Sequence, residues 1–472
     1  GQATKIPSPP SPPAGYYGLL VETAKDGFIL HQKETGFGVV PAGQYAAALA
    51  SVPENEKTDT TLAPSPPRRA AVDDSLFGMT HHNLRDPWLR PAWSKTLVVT
   101  RHLDAKTGAI DDEGWRAAVG KVRESGYEDL PMFTRAVWQS ANDKPVQPEQ
   151  LAKIRDIMRH RIKTTPDVFY YELGLEENLS YRRNRAAATH MWQNLAAKAR
   201  AAREGVFSVN PANPANSQIS FGYQIAEFDF RSMEEFIKSP AYREFQFISL
   251  HPYAWETFPM PDEWMENVVS RCRGFMKEAG REIPVWFTEI GAPHNGNPGG
   301  FFGYPQNGIL TNGLSRENYA TFTTRCHVIA ASLGVKHLFW YNYQDNADDI
   351  FYAERHFGLR DTWGFPKPAY ISYANMTRLL EGRKHAGITR DGDLVAHRFD
   401  PIPGSPLLRS GSGTTWVVWR RDKAASPRPL AIAALLPPGG KINRAVDNYG
   451  TSLPIESGAI LIGARPVYLI AD

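Results

Sequence analysis

The sequence has little cysteine, no long apolar run and no excess of charge. Cys272 and Cys326 are the only cysteines in 472 residues, and both lie in helix-like stretches. Because the sequence shows no disulfide framework, we expect both cysteines to be buried free thiols. No apolar run approaches the roughly 18 residues of a membrane-spanning helix. Lys and Arg total 53 against 50 Asp and Glu, without clusters, so charge gives no reason to expect a nucleic-acid partner.

The N-terminal region is rich in proline. Residues 7–13 are Pro-Ser-Pro-Pro-Ser-Pro-Pro, a composition that resembles the stem left after removal of a signal peptide. A first residue Gly1 is also compatible with a cloning scar. We predict an extended leader over residues 1–15 and a secreted or periplasmic protein. Residues 16–72 are predicted as a β-ribbon and loop that pack on a C-terminal sandwich.

Strand-like and helix-like segments alternate from residue 73 to 384. Amphipathic patterns such as Trp115–Arg123, Pro148–Arg161 and Ala186–Arg203 separate the apolar runs. The candidate strands are Ser75–Met79, Lys95–Thr100, Leu130–Thr134, Val168–Leu173, Val206–Val209, Phe245–Leu250, Val285–Thr288 and His337–Trp340. Eight strand–helix repeats over this length favour an α/β fold of the (β/α)₈ TIM-barrel type over an open sheet. No dinucleotide-type or P-loop glycine pattern follows any of these strands, so no nucleotide cofactor is predicted.

The helical period disappears after residue 385. Short β-type runs are separated there by Gly, Pro and Asp turns; they are Leu394–Arg398, Thr415–Arg420, Leu430–Leu435 and Val467–Ile470. This spacing predicts a small antiparallel β-sandwich over residues 385–472.

Two glutamates stand where strands of a barrel would end, at the face where such barrels keep their active sites. Glu176 follows the run that begins at Tyr170, and Glu289 follows Val285–Thr288. Their separation of 289 − 176 = 113 residues corresponds to three β/α units of roughly 31 residues with modest insertions. Two carboxylates that face each other across a barrel mouth supply the acid/base and the nucleophile of retaining glycoside hydrolysis. The pattern therefore predicts a glycosidase.

Four segments resemble, in the right order, strand motifs of the clan A glycoside hydrolases. Tyr171–Asn178 is similar to the strand-four motif and Trp286–Gly291 to the strand-seven motif. Phe247–Tyr253 resembles strand six, and Leu338–Asp345 resembles strand eight with its Trp at the sugar-binding floor. Within the clan the nearest likeness is to family 39, which includes β-xylosidases, α-iduronidases and bacterial exopolysaccharide endoglycosidases.

The resemblance implies a role for each glutamate. Glu289 would be the nucleophile and Glu176 the acid/base, whereas Glu172 is interpreted as a structural or salt-bridging carboxylate of the barrel interior. The clan has Asn directly before the acid/base, and that Asn normally bonds the sugar 2-hydroxyl. Leu175 stands there instead. This implies an unusual 2-position in the substrate or another donor, for which Glu177 and Asn178 are the nearest polar candidates.

Further candidate site residues are indicated by their positions relative to the predicted strands. His251 and Tyr253 follow strand six, and a Tyr hydroxyl near the nucleophile would hold it ionised. Arg101 could supply a cation for the same purpose, with an exposed salt bridge as the alternative. The other candidate substrate contacts are Trp138, Trp255, Trp340 and Asn342, with core packing as the alternative for the first two. His81 and His82 follow strand one and could line the cleft. No third ligand stands at a recognisable spacing, so no metal site is predicted.

Aromatic residues are spread over several predicted mouth segments. They are Trp138, Trp255, Phe301, Phe302, Tyr304 and Trp340. Spaced stacking platforms favour an endo-acting enzyme on an oligo- or polysaccharide. Two alternatives remain: an exo-acting glycosidase of the xylosidase/iduronidase type, and a non-catalytic carbohydrate-binding protein on the same fold. An esterase is disfavoured because the chain has no Gly-x-Ser-x-Gly.

Overall fold

The computed structural model describes most of the chain beyond residue 70. The described residues are 15–25, 28–39, 71–80, 86, 88–99, 103, 109–133, 138, 142–209, 213–254, 259–294, 302–304, 309–311, 313–346, 353–422, 426–435 and 441–471. The predicted leader and almost all of the predicted loop over 51–72 lie outside them. Near the N-terminus, strand β1 (Gly15–Lys25) pairs with strand β2 (Phe28–Val39) in an antiparallel ribbon. Packing of this ribbon on the C-terminal sheet stays a prediction.

Eight parallel strands form the central sheet. In chain order the next strands are β3 (Phe77–Thr80), β4 (Trp93–Lys95), β5 (Glu128–Asp129), β6 (Tyr170–Glu172), β7 (Ser220–Ala226), β8 (Phe247–His251), β9 (Val285–Ile290), β10 (Phe302–Tyr304), β11 (Ile309–Thr311) and β12 (Leu338–Trp340). The sheet order is β5-β4-β3-β12-β9-β8-β7-β6, and β10 and β11 form a separate hairpin after β9. The backbone of Glu172 donates to Pro131 and accepts from Phe133, each at 2.9 Å. These bonds join the β5 and β6 edges, so the sheet curls as a (β/α)₈ barrel requires.

Helices flank this sheet. They are α1 (Asp112–Glu124), α2 (Pro148–Thr164), α3 (Glu177–Arg183), α4 (Met191–Val209), α5 (Phe230–Lys238), α6 (Met265–Glu278), α7 (Arg316–Ser332) and α8 (Pro368–Leu380). Side-chain caps begin several of them: Asp111 accepts from the amide of Gly114 at the start of α1, and Asp229 does the same for Ser232 at the start of α5. Such caps satisfy amides that have no partner within the helix.

One predicted strand is wrong. Val206–Val209 forms the last turn of α4, and the corresponding strand is β7, about fifteen residues further along. Leu195, Ala199, Ala202 and Val206 are all buried, which is the spacing of a helix face. A short run of β-branched residues does not distinguish a strand from the end of a buried helix. The predicted helix Ala186–Arg203 is present as α4, which begins five residues later, at Met191, and ends at Val209.

Aromatic side chains fill the lower interior of the barrel. They are Trp93, Tyr170, Phe247, Trp286 and Phe339, and the rings of Phe247 and Trp286 stack with centroids 4.2 Å apart. Gly222 on β7 makes room for them, because a Cβ there would lie 2.0 Å from the Phe247 ring. Since strand side chains alternate between faces, the next inward positions above this aromatic layer carry Lys95, Glu172 and Gln224. A polar layer therefore separates the aromatic layer from the mouth.

The C-terminal residues form antiparallel sheets. The strands are β13 (Arg383–Asp391), β14 (Leu394–Pro401), β15 (Thr415–Arg420), β16 (Arg428–Ala431), β17 (Arg444–Asp447), β18 (Ser452–Leu453), β19 (Ala459–Ile462) and β20 (Val467–Ile470). Six of them pair in the order β13-β14-β15-β20-β17-β18, and β16 pairs with β19. Trp416, Val418, Leu430 and Ile460 share a buried apolar cluster, which brings strands of both sheets together. This arrangement fits the predicted C-terminal sandwich.

A buried ionic junction joins the barrel to the C-terminal sheet. Arg325 on α7 is completely buried and pairs with Asp262 at 2.9 Å. It also donates to the backbone carbonyl of Arg420 on β15 at 2.8 Å. Trp419, next to Arg420, donates its indole N–H to the other oxygen of Asp262 at 2.8 Å. Barrel and sheet thus share one carboxylate.

The predicted thiol state is confirmed. Cys272 and Cys326 are both buried and neither forms a disulfide. Burial raises the pKa of the Cys272 thiol to about 12, which makes this thiol a poor nucleophile. Among the described residues, no helix is both long and apolar enough to cross a membrane.

Candidate active site

The two glutamates meet at the mouth of the barrel. Glu289 lies on β9, and Glu176 directly precedes α3 in a left-handed conformation with φ 47°. Their side chains are 20% and 21% exposed, so both reach solvent from a mostly buried position. An oxygen of each carboxylate and a ring nitrogen of His251 all lie within 4.8 Å of one another. Such a distance between the nearest oxygens is compatible with the about 5–5.5 Å that separates the two carboxyl groups of retaining glycosidases.

His251 connects the two carboxylates. It ends β8 and is completely buried. Its Nδ1 lies 2.8 Å from Oε1 of Glu176 and 3.9 Å from Oε2 of Glu289. Its Nε2 lies 3.0 Å from the Thr288 hydroxyl. The ring is therefore fixed at both nitrogens, with one edge turned to the reacting groups.

Tyr253 holds Glu289 through a hydrogen bond. Its hydroxyl donates to Oε1 of Glu289 at 2.9 Å. Burial, together with the negative charge of Glu289, raises the pKa of Tyr253 well above its ordinary value. The phenol thus stays protonated as a donor. A donor of this kind favours the ionised form of the carboxylate that accepts from it.

A buried ion pair lies below His251. The ammonium of Lys95 is 2.8 Å from Oε2 of Glu172, and Gln224 donates to the same oxygen at 2.6 Å. Burial acts to raise the pKa of Glu172, but nearby positive charge, that of Lys95 above all, outweighs it, so that pKa is lowered. Lys95 also lies 3.4 Å from Nε2 of His251. Glu172 is thus an interior salt-bridging carboxylate, in agreement with its interpretation from the sequence.

A third carboxylate, Glu354, lies near the pair and was not predicted. It belongs to a short 3₁₀ helix (Ala353–His356) in the loop after β12. Burial, with added contributions from the charges of Glu289 and Glu176, raises the pKa of Glu354 to about 7. The loop returns to the barrel at Phe357, whose ring lies 5.8 Å from that of Tyr253. No strand pattern marks this segment in the sequence.

The side chains of two predicted substrate-binding residues form hydrogen bonds within the protein instead. Trp138 is completely buried, and its indole N–H donates to Glu177 at 3.1 Å, which favours the core-packing alternative. The Asn178 amide donates to the carbonyl of Ala226 and accepts from its N–H, each at 3.0 Å. This amide stabilises the end of β7, so it is poorly placed to replace the Asn that the clan motif has at Leu175.

The strand-eight motif is placed differently from the expectation. Trp340 is completely buried and its ring packs among Tyr319, Phe322 and His327 of α7, behind the barrel wall. The next residue, Tyr341, lies near the site instead, with its ring centroid 6.5 Å from that of Tyr253. Asn342 is also completely buried, and neither polar atom of its amide has a hydrogen-bond partner among the residues that the structure describes.

Several predicted residues lie outside the described part of the chain. They are His81, His82, Arg101, Trp255 and Phe301. Phe302 and Tyr304 are described only as backbone of the β10–β11 hairpin. Their roles stay predictions. Within the described residues, the Glu176, His251 and Glu289 trio could also hold a metal ion by distance, at the place where a sugar would react.

Comparisons with known proteins agree with this architecture. No protein-family model and no curated protein matches the sequence. A family 39 glycoside hydrolase from the gut symbiont Bacteroides cellulosilyticus WH2 is similar in structure, with a TM-score of 0.63 and 17% sequence identity over 98% of this chain and 88% of that chain. A family 51 arabinofuranosidase from Xanthomonas axonopodis pv. citri matches at a TM-score of 0.49 and 12% identity, over 85% of this chain and 97% of that chain. The first match shows that the chain shares the fold of a family 39 glycoside hydrolase, as the motifs imply.

Proposed function

We propose that the protein is a retaining glycoside hydrolase that acts on an oligo- or polysaccharide. The observation that carries the proposal is the spacing of Glu176 and Glu289 across the mouth, with oxygens within 4.8 Å. Tyr253 donates to Glu289, as a nucleophile held ionised needs, and Glu176 contacts His251.

The mechanism follows from this placement. Glu289 attacks the anomeric carbon while Glu176 gives its proton to the leaving oxygen, which produces a covalent glycosyl-enzyme. Glu176, now a carboxylate, takes a proton from water, and the water oxygen displaces Glu289 from the anomeric carbon. Two displacements at one carbon return its original configuration. Both carboxylates then regain their starting states.

We propose an endo mode of action, which an exposed aromatic turn supports. Trp363 and Phe365 are 67% and 46% exposed in the segment between β12 and α8. The carboxylate of Asp361 accepts from both of their backbone amides, at 3.0 and 2.8 Å, which fixes the turn. A segment that follows the carboxyl end of a barrel strand lies on the active-site face. Flat rings presented there suit stacking against sugar units beyond the one that reacts.

Product stereochemistry tests the proposal. Purified protein is incubated with a panel of polysaccharides, and the anomeric configuration of the first product is followed by NMR. We expect retention, and loss of detectable hydrolysis in Glu289→Gln. Glu282→Gln is the matched control, because Glu282 is exposed at the opposite end of β9. Inversion, or full activity of Glu289→Gln, would overturn the retaining mechanism.

A non-catalytic carbohydrate-binding protein is the second candidate, and Leu175 favours it. The clan motif places an Asn at this position, where it contributes to the transition state, and this chain lacks it. The same panel separates the two functions. A glycan that binds to the wild-type protein and is recovered intact after long incubation supports the binding protein, whereas shortened chains support the hydrolase.

A further inference from the structure

The buried Lys95–Glu172 pair faces His251, a histidine that contacts the proposed acid/base Glu176. The Lys95 ammonium has three donors and no acceptor, and it is 3.4 Å from Nε2 of His251. Glu172 at 2.8 Å holds this ammonium in place, and Gln224 occupies the same carboxylate oxygen. The contact is therefore between a fixed cation and a ring nitrogen.

The charges around His251 favour one arrangement of its proton. A protonated Nε2 could donate to the Thr288 hydroxyl at 3.0 Å but would lie 3.4 Å from the Lys95 ammonium, whereas an unprotonated Nε2 accepts from either group. On the other edge, Nδ1 lies 2.8 Å from an oxygen of Glu176 and 3.9 Å from the carboxylate of Glu289. Electrostatic attraction there favours a proton on Nδ1. Both edges thus select the neutral ring with its hydrogen on Nδ1.

We propose that Lys95 is a positioning residue that fixes His251 as the Nδ1–H tautomer and so directs the acid proton of Glu176 to its Oε2. The ring N–H donates to Oε1, which then serves as the acceptor oxygen of the protonated carboxyl group. The transferable hydrogen resides on the other oxygen. The catalytic part of this inference rests on the proposed hydrolase function, and the tautomer does not.

Every proton that moves in the two displacements is accounted for without a change in the protonation of His251. In the first displacement the Oε2 hydrogen passes to the leaving oxygen as its bond to the anomeric carbon breaks. In the second, Oε2 takes a hydrogen from water as the new carbon–oxygen bond forms and the bond to Glu289 breaks. The Nδ1–H hydrogen bond to Oε1 is present throughout, and it is strongest while Glu176 is ionised.

The tautomer can be measured without a substrate. Histidine is labelled with ¹⁵N in the full-length protein, and the ring nitrogens are observed by long-range ¹H–¹⁵N NMR at neutral pH, with His251→Asn to assign the signal. The test variant is Lys95→Met with Glu172→Gln, which removes both charges and leaves no unpaired ion in the barrel. The matched control is Arg123→Met with Glu128→Gln, a buried ion pair at 2.8 Å that joins α1 to β5.

We expect the Nδ1–H pattern in the wild type and the control, and a shift toward Nε2–H in the test variant. An Nε2–H ring in the wild type, or an unchanged ring in the variant, would overturn the tautomer assignment. For the catalytic part, kcat is compared between 4-nitrophenyl glycosides and unactivated glycans of the sugar that the panel identifies. We expect a loss of about tenfold or more, confined to the unactivated substrates, where proton donation matters most.

The outcomes separate this inference from the proposed function. A variant with a changed tautomer and the same loss on both substrate types would refute the directed proton and leave the hydrolase intact. If neither the wild type nor any variant hydrolyses a glycan, the proposed hydrolase function is refuted. The NMR spectra would still decide whether Lys95 fixes the tautomer of His251.

Discussion

The Tyr253 hydroxyl donates to Oε1 of Glu289 over 2.9 Å, and this bond orients the proposed nucleophile. Tyr253→Phe removes the donor and keeps the ring. Because a hydrogen bond to a charged group contributes about 1.5–3 kcal/mol, we expect kcat/KM to fall roughly 10- to 100-fold. Tyr242→Phe is the control, since its hydroxyl bonds the backbone of Arg281 far from the site. Equal kinetics for Tyr253→Phe and the wild type would contradict the role.

Glu176→Gln should separate acid from base catalysis. The amide cannot donate the proton, so kcat/KM on unactivated glycans is expected to fall by about 10²–10⁴. A 4-nitrophenyl leaving group needs little protonation, so its release should be affected far less. Azide needs no general base and should restore turnover of the aryl glycoside by forming a glycosyl azide. Failure of azide to react would argue against Glu176 as the base.

Glu354 should impose a pH dependence on stability. Its pKa is about 7 in the folded protein, above the ordinary value of 4.5. Between these values the folded state binds the proton more tightly, so the free energy of unfolding contributed by this group falls as pH rises. Glu354→Gln should therefore gain stability relative to wild type from about pH 4.5 to 7, in urea titrations. Glu282→Gln, at an exposed glutamate before β9, is the matched control variant.

Gly222→Ala should destabilise the barrel through a steric clash. The new Cβ would lie 2.0 Å from the Phe247 ring, and overpacking of this kind costs about 1–3 kcal/mol. Phe247→Leu in the same chain should recover part of the loss, which a double-mutant cycle measures by urea unfolding. Gly274→Ala on α6 meets nothing within 4 Å and should stabilise by roughly 0.5–1 kcal/mol. Additive effects at Gly222 and Phe247 would refute the clash.

Trp363→Ala should affect long substrates more than short ones. If its exposed ring stacks against distant sugar units, KM for a polymer rises severalfold, by about the 0.5–1.5 kcal/mol of one aromatic contact. KM for an aryl monoglycoside should not change. Leu461→Ala, an exposed apolar residue on β19, is the control. A polymer KM equal to wild type would remove the support for an endo mode.

Sequence patterns indicated which residues meet at the candidate site because these residues follow strand ends. Glu176, His251, Tyr253 and Glu289 each stand at or just after an apolar run, and parallel strands of a barrel bring these positions to one face. The structure brings all four together. In a barrel, the strand order alone decides that these four residues lie near one another. The alternation of strands and helices already indicated that order.

The remaining parts depended on information that local patterns do not carry. Strands of a parallel barrel are apolar on both faces, so the run ending at Trp340 did not reveal that Tyr341, not Trp340, faces the site. Glu354 lies in a loop whose return path depends on distant contacts, such as Lys367 with Asp345 at 2.8 Å. The sequence placed Lys95 at the start of a predicted strand, but no sequence pattern indicated that it has an ion-pair partner on β6.

The junction around Asp262 has a consequence for dissection of the chain. Deletion of the C-terminal sheet would remove Trp419 and the carbonyl of Arg420, and would expose Arg325 with a depleted set of acceptors. Arg325 and Asp262 would keep each other, but Val417, Trp419 and Tyr468 share an apolar core with barrel residues, so their removal would expose apolar surface to water. The barrel alone is therefore a poor expression target, and calorimetry of the whole chain should show cooperative melting of barrel and sheet in a single transition.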